Sequence, residues 1–249
     1  MPAHIHIGCC GWSYLDEKEF REPEGLRPGH SKLQAYVRLF DSVEINSTFY
    51  RLPRLSTAER WRKEADEVNP GFGFTVKVYQ GITHLHRFRK KESLDTYRII
   101  KDICSVLRSN LVLFQSPASF KPSPENIDAM TEFFDKIDRE GIVTAWEPRG
   151  KWYDDSRLVE KVCADCKLVH CVDPFRNDAL VLGKTKTAYF RLHGFGKPSM
   201  YQYDFSEEEL YRLQKKIDSL SYEMKYVYVF FNNAACYGNA AAFQKMLAK

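Results

Sequence analysis

Polar and ionisable side chains that could take part in chemistry stand at the ends of successive apolar runs along this sequence. The run that begins at Ser42 ends in Glu44 and Asn46, and a later run ends in Glu147. A buried strand has no structural reason of its own to end in such groups, because each costs free energy when it is desolvated without a partner. Polar groups delivered by many strand ends to one place predict an active site at the mouth of a barrel. Other apolar runs end in the same way, at Lys77, Gln115, Asp173, Arg191, His193 and Asn232.

Two glutamates, Glu44 and Glu147, are the leading acid/base candidates. Paired carboxylates in different environments can divide into a proton donor and a proton acceptor. The same side chains can instead be counter-ions of Lys77, Arg149 or Arg191 in a buried ion-pair lattice, since structural networks perturb pKa values as active sites do. Both interpretations stay open at this point, and both can hold at once.

Positively charged side chains join the same set of strand ends. Lys77 follows an apolar run, so its side chain is expected to point into the mouth, where it can bind an oxyanion or form a Schiff base. Anion binding needs fewer special conditions. Arg149, Arg191 and His193 add positive or proton-donating groups to the rim. The glycine-rich stretch 194–197 extends the predicted anion site, because loops after strands seven and eight of such barrels often hold phosphate.

These arguments define two sets of candidate residues. The predicted catalytic residues are Glu44, Glu147 and Lys77. The predicted substrate-binding residues lie at strand ends or in the loops that follow them: Trp12, Tyr14, Asn46, Tyr50, Gln115, Arg149, Asp173, Arg191, His193 and Asn232.

The stretch 84–91 is basic and carries an interleaved aromatic residue, Phe88. Such a loop can bind phosphates while neighbouring aromatic rings stack on bases. A solvated charge run that leads into a helix explains the same residues, and the modest net charge of +4 favours that interpretation over nucleic-acid binding. Aromatic residues that would complete a stacking surface are Trp12, Tyr14, Tyr50, Trp152, Tyr153, Phe195 and Tyr201.

Metal chemistry has weaker support. Possible ligands exist among the strand-end residues, but an HExxH spacing is absent, so we predict no metal site and assign no cofactor. Three of the seven cysteines, Cys163, Cys166 and Cys171, are spaced as CxxCxxxxC. No fourth ligand lies at a matching spacing, and we expect these thiols to be buried in a helix and the following strand. The possible metal ligands among the strand-end and loop residues, apart from these cysteines, are Glu44, His84, Glu147, Asp173 and His193.

The elements that must position these groups alternate along the chain. Runs typical of strands occupy residues 4–9, 42–46, 72–78, 110–115, 142–147, 167–172, 187–193 and 225–231. Most are followed by an amphipathic helical pattern, which favours a single (β/α)8 barrel of the α/β class over residues 1–249. Residues 10–30 form a long first loop, and residues 174–186 are too short and irregular for a helix, so the helix after strand six is predicted to be degenerate or missing.

Helix starts are marked by local sequence. Ser56 and Glu59 have the spacing of a capping box, as do Ser206 and Glu209. Ser123 followed by a proline predicts a third start, with the proline at the first helical position. A doubly wound sheet is less favoured, because neither a GxGxxG turn nor a P-loop is present.

Composition excludes some classes of protein. The chain has 249 residues, of which 44% are hydrophobic, enough for a substantial core. No apolar run approaches the ~20 residues that span a bilayer, and the N-terminus lacks the features of a signal peptide. We therefore expect a cytoplasmic protein with no membrane partner. The odd number of cysteines argues against an extracellular disulfide framework.

Several motifs together resemble the DUF72, or YecE-like, family. They are Gly11-Trp12-Ser13-Tyr14, residues 43–50, 82–84, 115–117, 147–149, 191–194 and 231–233. The resemblance covers nearly the whole chain and implies a TIM-type barrel without implying an activity. One departure is visible: the family's opening usually reads Gly-Thr-Ser-Gly-Trp-Ser, and here Cys9-Cys10 replaces Thr-Ser.

The leading hypothesis is an enzyme that acts on a small anionic molecule, phosphate-bearing or sugar-like, by carboxylate acid/base chemistry. A nucleic-acid-binding or nucleic-acid-processing barrel is the second hypothesis, based on the stretch 84–91. A ligand-binding barrel without catalysis is the third.

Overall fold

Eight parallel strands close into a barrel in the computed structural model, which describes residues 3–16, 30–181 and 183–248. Each strand pairs with the next along the chain, and the last pairs with the first in the register His4↔Tyr226 to Cys9↔Phe231. The predicted fold class and all eight predicted strands are confirmed. They are β1 (His4–Cys9), β2 (Ser42–Ile45), β3 (Gly73–Lys77), β4 (Leu111–Gln115), β5 (Val143–Glu147), β6 (Val169–Val172), β7 (Thr187–Leu192) and β8 (Tyr226–Phe231).

Helices cover the outside of the barrel, and short helical turns follow three of the strands. Over the described residues, no helix is assigned between β6 and β7, as the sequence predicted. The returning segment instead gives a backbone hydrogen bond from His170 N–H to Val181 O, at 2.8 Å. The helices are α1 (Lys32–Leu39), α2 (Leu55–Asp66), α3 (Lys91–Leu107), α4 (Pro124–Lys136), α5 (Ser156–Asp165), α6 (Glu207–Ser221) and α7 (Cys236–Leu247).

Two of the three predicted helix starts are confirmed. Ser206 and Glu209 form a reciprocal capping box, and Pro124 begins α4 after Ser123. The capping box predicted at Ser56 is wrong, because α2 begins two residues earlier than that cap requires, with Arg54 as its N-cap. The carbonyl of Arg54 accepts from Thr57 N–H at 2.9 Å and so starts the helix before Ser56 can act as a cap.

The capping box that the sequence analysis missed opens α1. Ser31 Oγ accepts from Gln34 N–H at 3.2 Å, and Gln34 Oε1 accepts from Ser31 N–H at 2.9 Å. Ser31 Oγ also donates to Glu64 of α2 at 2.7 Å. The box therefore fixes the start of α1 and ties it to the neighbouring helix.

Strand alternation explains why the polar residues end at one face. Successive side chains of a strand point to opposite sides of the sheet, so residues two apart share a side. Inside the barrel, Leu113, Ala145, Tyr189 and Phe230 pack into one apolar layer. Two residues further along each of these strands lie the groups that form the polar mouth: Gln115, Glu147, Arg191 and Asn232.

No helix within the described residues is long and apolar enough to cross a membrane.

Candidate functional site

Arg191 occupies the centre of the barrel mouth and bridges the two predicted glutamates. Its Nε and Nη2 atoms donate to Glu44 Oε2 and Oε1 at 3.0 and 2.9 Å, and its Nη1 donates to Glu147 Oε2 at 2.6 Å. All three side chains are buried. Burial opposes a charge on Arg191, but the two carboxylates reverse this and raise its pKa well above the ordinary value. The ion-pair lattice that the sequence left open is therefore present.

Hydroxyl groups complete the surroundings of Glu44. Tyr189 donates from its hydroxyl to Glu44 Oε2 at 2.8 Å, and Thr75 Oγ1 lies 3.0 Å from the same hydroxyl. Tyr189 comes from β7 and Thr75 from β3, so β7 binds the carboxylate that β2 carries and β3 supports the Tyr189 hydroxyl. The sequence analysis missed Tyr189, although its position two residues before Arg191 places it on the same side of β7.

Glu147 accepts hydrogen bonds from a second arginine as well as from Arg191. Arg149 donates from Nε and Nη2 to Glu147 Oε1 at 2.9 and 2.6 Å. Burial alone would raise the pKa of Glu147, but the neighbouring guanidinium groups of Arg191 and Arg149 outweigh it and hold that pKa well below the ordinary value. Glu147 is consequently ionised at neutral pH.

His193 lies between Arg149 and Asp173. The Nη2 atom of Arg149 is 3.0 Å from His193 Nε2, and because a guanidinium can only donate, we assign Nε2 as the acceptor. The proton of a neutral His193 is then on Nδ1, which is 3.4 Å from Asp173 Oδ2. Asp173 Oδ2 also accepts from the His193 backbone N–H at 3.1 Å. The ends of β5, β6 and β7 are thus linked in one chain of polar contacts.

Lys77 points into the mouth as predicted and differs from its cationic neighbours. Its side chain is buried, and Nζ lies 4.3 Å from the centre of the Phe49 ring. Among the described residues, no carboxylate oxygen lies within 4.0 Å of Nζ, whereas Arg149 and Arg191 each contact at least one. Burial and then repulsion by Arg191 lower the pKa of Lys77 to about 8.

Two further groups lie close to Lys77. His84 packs edge-on against Phe49, with ring centres 4.8 Å apart, and burial followed by repulsion from Lys77 lowers its pKa to about 4. Cys10 lies 3.7 Å from Arg191 Nη2 through its sulfur, and burial, followed by repulsion from Glu44, raises the pKa of its thiol well above the ordinary value. Cys10 was not predicted as a site residue, although it directly follows β1.

Amide side chains complete the ring of strand ends. Gln115 Oε1 accepts from Arg191 Nη1 at 3.4 Å. Asn46 Oδ1 is buried and has no hydrogen-bond partner among the described residues. Asn232 is half-buried after β8, and its backbone N–H donates to Leu192 O at 2.8 Å. These groups provide amide donors and acceptors around the central lattice.

The predicted aromatic surface is assembled only in part. Tyr201 packs against the ring of His193, with centres 5.6 Å apart, while Tyr14 and Tyr50 are 92% and 67% exposed. Trp12 packs edge-on against Trp61 of α2 at 5.2 Å.

Trp152 does not belong to the predicted aromatic surface. It is fully buried and donates from Nε1 to Phe120 O at 2.5 Å. The large apolar area of an indole favours the layer between sheet and helices over the rim.

The glycine-rich stretch after β7 has a packing role in this structure. A Cβ on Gly196 would lie 2.0 Å from Gln202 O, so only glycine allows this close approach. Arg176 Nη2 donates to Gly194 O at 2.6 Å and holds the turn against the segment after β6. Phosphate binding by this loop stays a prediction.

The cysteine cluster of the sequence is divided between two layers. Cys163 lies in α5 within the outer core, whereas Cys171 lies in β6 and faces the barrel interior, as the predicted helix and strand contexts required. In the part of the chain that the structure describes, no group of three or more His, Cys, Asp or Glu side chains could hold a metal ion.

A closed barrel of eight parallel strands, with polar groups delivered by their carboxyl ends, defines a TIM-type barrel. The chain belongs to the family described as protein of unknown function DUF72, whose model matches residues 6–249. The resemblance seen in the motifs is therefore confirmed.

Relatives and solved structures agree with this assignment. The UPF0759 protein YunF of Bacillus subtilis (strain 168) is 28% identical over 261 residues, covering 92% of this chain and 88% of YunF. The crystal structure of a DUF72 family protein from Thermotoga maritima MSB8 is similar at a TM-score of 0.78 and 27% identity, covering 99% of this chain and 100% of that one. SacUVDE, at 11% identity and a TM-score of 0.63 over 99% of this chain and 98% of its own, shares the fold.

Proposed function

We propose that this protein is an enzyme that acts on a small anionic molecule, phosphate-bearing or sugar-like, at the mouth of the barrel. The observation that carries the proposal is the unpaired ammonium group of Lys77. It is buried at the mouth without a carboxylate partner among the described residues, while Arg149 and Arg191 are neutralised there. A buried charge requires a counter-charge, and an anionic substrate supplies it.

The two glutamates have a positioning role in this proposal. Glu44 and Glu147 use their oxygens to hold Arg191, and Glu147 is too acidic to donate a proton near neutral pH. Proton transfer is assigned to Lys77, whose pKa of about 8 lies close to the operating range of a general acid or base. Carboxylate acid/base chemistry, as the sequence suggested, would require the lattice to open.

Neutral polar groups are placed to recognise hydroxyls of a sugar-like substrate. The unpartnered Asn46 Oδ1 is a buried acceptor, and such groups are normally satisfied in a functional complex or by water. Gln115 and Asn232 contribute amides on two other strands. A ligand with one anionic group and several hydroxyls would match this arrangement.

Thermal unfolding in the presence of inorganic phosphate tests the proposal. A ligand that binds only the folded state stabilises it by about 2.7 kcal/mol at 100 times its Kd. Phosphate should raise the melting temperature of the wild type relative to chloride at equal ionic strength, and Lys77→Met should abolish that increase. Lys101→Met is the matched control, since Lys101 contacts Asp138 and Glu140 on the helical exterior. Equal phosphate stabilisation of the wild type and Lys77→Met would reject the proposal.

A nucleic-acid ligand is the second candidate. Arg89 and Lys90 are exposed between β3 and α3, and exposed Lys91 begins α3, at the same end of the barrel as Lys77. Part of this charge has a structural use, because Arg89 Nη2 donates to Asn126 Oδ1 at 2.5 Å. Binding of an oligonucleotide that weakens steeply with salt, with a slope reduced in a Lys90→Gln, Lys91→Gln variant, would favour this candidate.

A further inference from the structure

Lys77 is unusual among the buried cations of this protein. Within the described ranges, the buried cationic side chains are Arg62, Lys77 and Arg191. Arg62 is 2.7 Å from Asp66, and Arg191 bridges the two glutamates, but Lys77 contacts an aromatic ring instead of a carboxylate. The residue is only 6% exposed, so its side chain is largely removed from water.

The nearby carboxylates are already saturated. Both Glu44 oxygens accept from Arg191, and both Glu147 oxygens accept from guanidinium groups. Arginine is therefore the residue that this mouth uses where a permanent charge is needed. Lysine differs from arginine because it can lose its proton and then attack an electrophile. A lysine that contacts no carboxylate in the described part of the chain, placed where an arginine would bind an anion at least as well, indicates covalent chemistry.

We propose that the anionic substrate also carries an aldehyde or ketone group, and that Lys77 Nζ forms an imine with that carbonyl carbon. The inference rests on the proposed function and names its substrate class: phosphorylated carbonyl compounds. A protonated imine keeps the positive charge on this nitrogen, which therefore remains the counter-charge of the substrate's anionic group. An imine withdraws electrons from the adjacent carbon, so the reaction class is bond cleavage or isomerisation next to the carbonyl.

The covalent step balances without a further reactant. Neutral Lys77 Nζ attacks the carbonyl carbon, and the new C–N bond forms as the carbonyl π electrons move to oxygen. A proton passes from nitrogen to that oxygen, giving a carbinolamine. The proton that Lys77 released on becoming neutral returns to the hydroxyl, which leaves as one water. The C–O bond breaks as the nitrogen lone pair forms the C=N bond of a protonated imine. Burial and Arg191 keep part of Lys77 unprotonated near neutral pH, as the first step requires.

Reductive trapping on the intact chain tests this inference. The protein is incubated with dihydroxyacetone phosphate or glyceraldehyde 3-phosphate and cyanoborohydride, and the adduct is located by peptide mass mapping. We expect one dominant adduct, on Lys77, at least tenfold enriched over the exposed Lys90 and Lys91. Its rate of formation should increase as the pH rises toward about 8, because neutral amine is the nucleophile. Adducts spread over exposed lysines without enrichment at Lys77 would overturn the inference.

A Lys77→Arg variant separates this inference from the proposed function. Arginine keeps the positive charge but cannot form an imine under these conditions, so phosphate stabilisation should persist while the adduct is lost. Lys101→Arg should keep both. If phosphate binding depends on Lys77 but the wild type forms no adduct, the inference that the substrate carries a carbonyl group is overturned. The proposed function then stands. If neither inorganic phosphate nor the phosphorylated carbonyl compounds bind, the inference and the proposed function are both overturned. If Lys77→Arg does not fold, the wild-type peptide map still tests whether the adduct forms on Lys77.

Discussion

Arg191 and Glu44 form a two-bond contact across the barrel, with Nε to Oε2 at 3.0 Å and Nη2 to Oε1 at 2.9 Å. The two side chains are 1% and 0% exposed and come from β7 and β2, which are not neighbours in the sheet. Parallel guanidinium–carboxylate bonds are both strong and directional. The contact therefore fixes the centre of the mouth and leaves Glu44 with little freedom to act as an independent base.

Glu44→Gln should destabilise the fold. The amide keeps the size of the side chain but removes the charge that compensates buried Arg191, and breaking a buried pair in this way typically costs about 3–5 kcal/mol. Urea unfolding of the variant and the wild type measures the difference. Glu132→Gln, at an exposed helical position, is the matched control and should unfold like the wild type. An unchanged or raised stability of Glu44→Gln would indicate that the lattice does not hold the fold together.

The strand ends could be predicted because alternation leaves few choices. Once an apolar run is identified as a parallel strand, its last polar residue must reach the carboxyl face of the barrel. Lys77 and Arg191 follow from this rule alone. The partners of each group could not be predicted, since several cations and carboxylates converge within reach of one another. Only the structure shows that both glutamates are bonded to arginines, whereas Lys77 contacts no carboxylate among the residues that the structure describes.

Some predictions failed for physical reasons. Trp152 was included among the aromatic residues of a possible stacking surface, but the short helical turn that carries it directs the indole into the outer core. Ser56 has the spacing of a cap, yet the carbonyl of Arg54 starts the helix first. Local spacing identifies residues able to cap or stack, and the path of the neighbouring backbone decides which of them do.

Stability at acid pH should depend on Glu147. Its folded pKa lies well below the unfolded value of about 4.3, so its stabilising contribution is complete above that value and is lost as the pH falls toward the folded pKa. Glu147→Gln should therefore have a flatter acid limb than the wild type in urea unfolding measured from about pH 6 downward. Parallel acid limbs for the two proteins would contradict the depressed pKa.

Lys77→Met should be more stable than the wild type at neutral pH. Lowering the pKa of Lys77 from 10.5 to about 8 corresponds to about 3 kcal/mol of penalty on the folded state. The unfolded chain binds more protons between these values, so wild-type stability should rise over that pH range, whereas the variant should lack this rise. Urea unfolding at neutral and alkaline pH measures both effects. A loss of stability in Lys77→Met would show that the ammonium is satisfied within the fold.

Cys236 should be the most reactive of the seven cysteines. A hydrogen bond with Cys9 and the backbone N–H groups at the start of α7 lower its pKa, whereas burial raises the pKa of Cys9 and Cys10. Iodoacetamide at neutral pH, read by peptide mass mapping, should label Cys236 first, and Cys236→Ser should remove the fast phase. Faster labelling of Cys10 would place the reactive thiol in the mouth instead.

The titration of Lys77 Nζ is the most direct measurement of the central claim. That claim is that this ammonium, which contacts no carboxylate in the described part of the chain, binds the anionic group of the substrate. In protein labelled with 13C at lysine Cε, assigned with the Lys77→Met variant, the Lys77 signal should titrate with a pKa of about 8. Saturating inorganic phosphate should raise that pKa, because a bound anion favours the charged form. An ordinary lysine pKa near 10.4 that phosphate leaves unchanged would contradict the account.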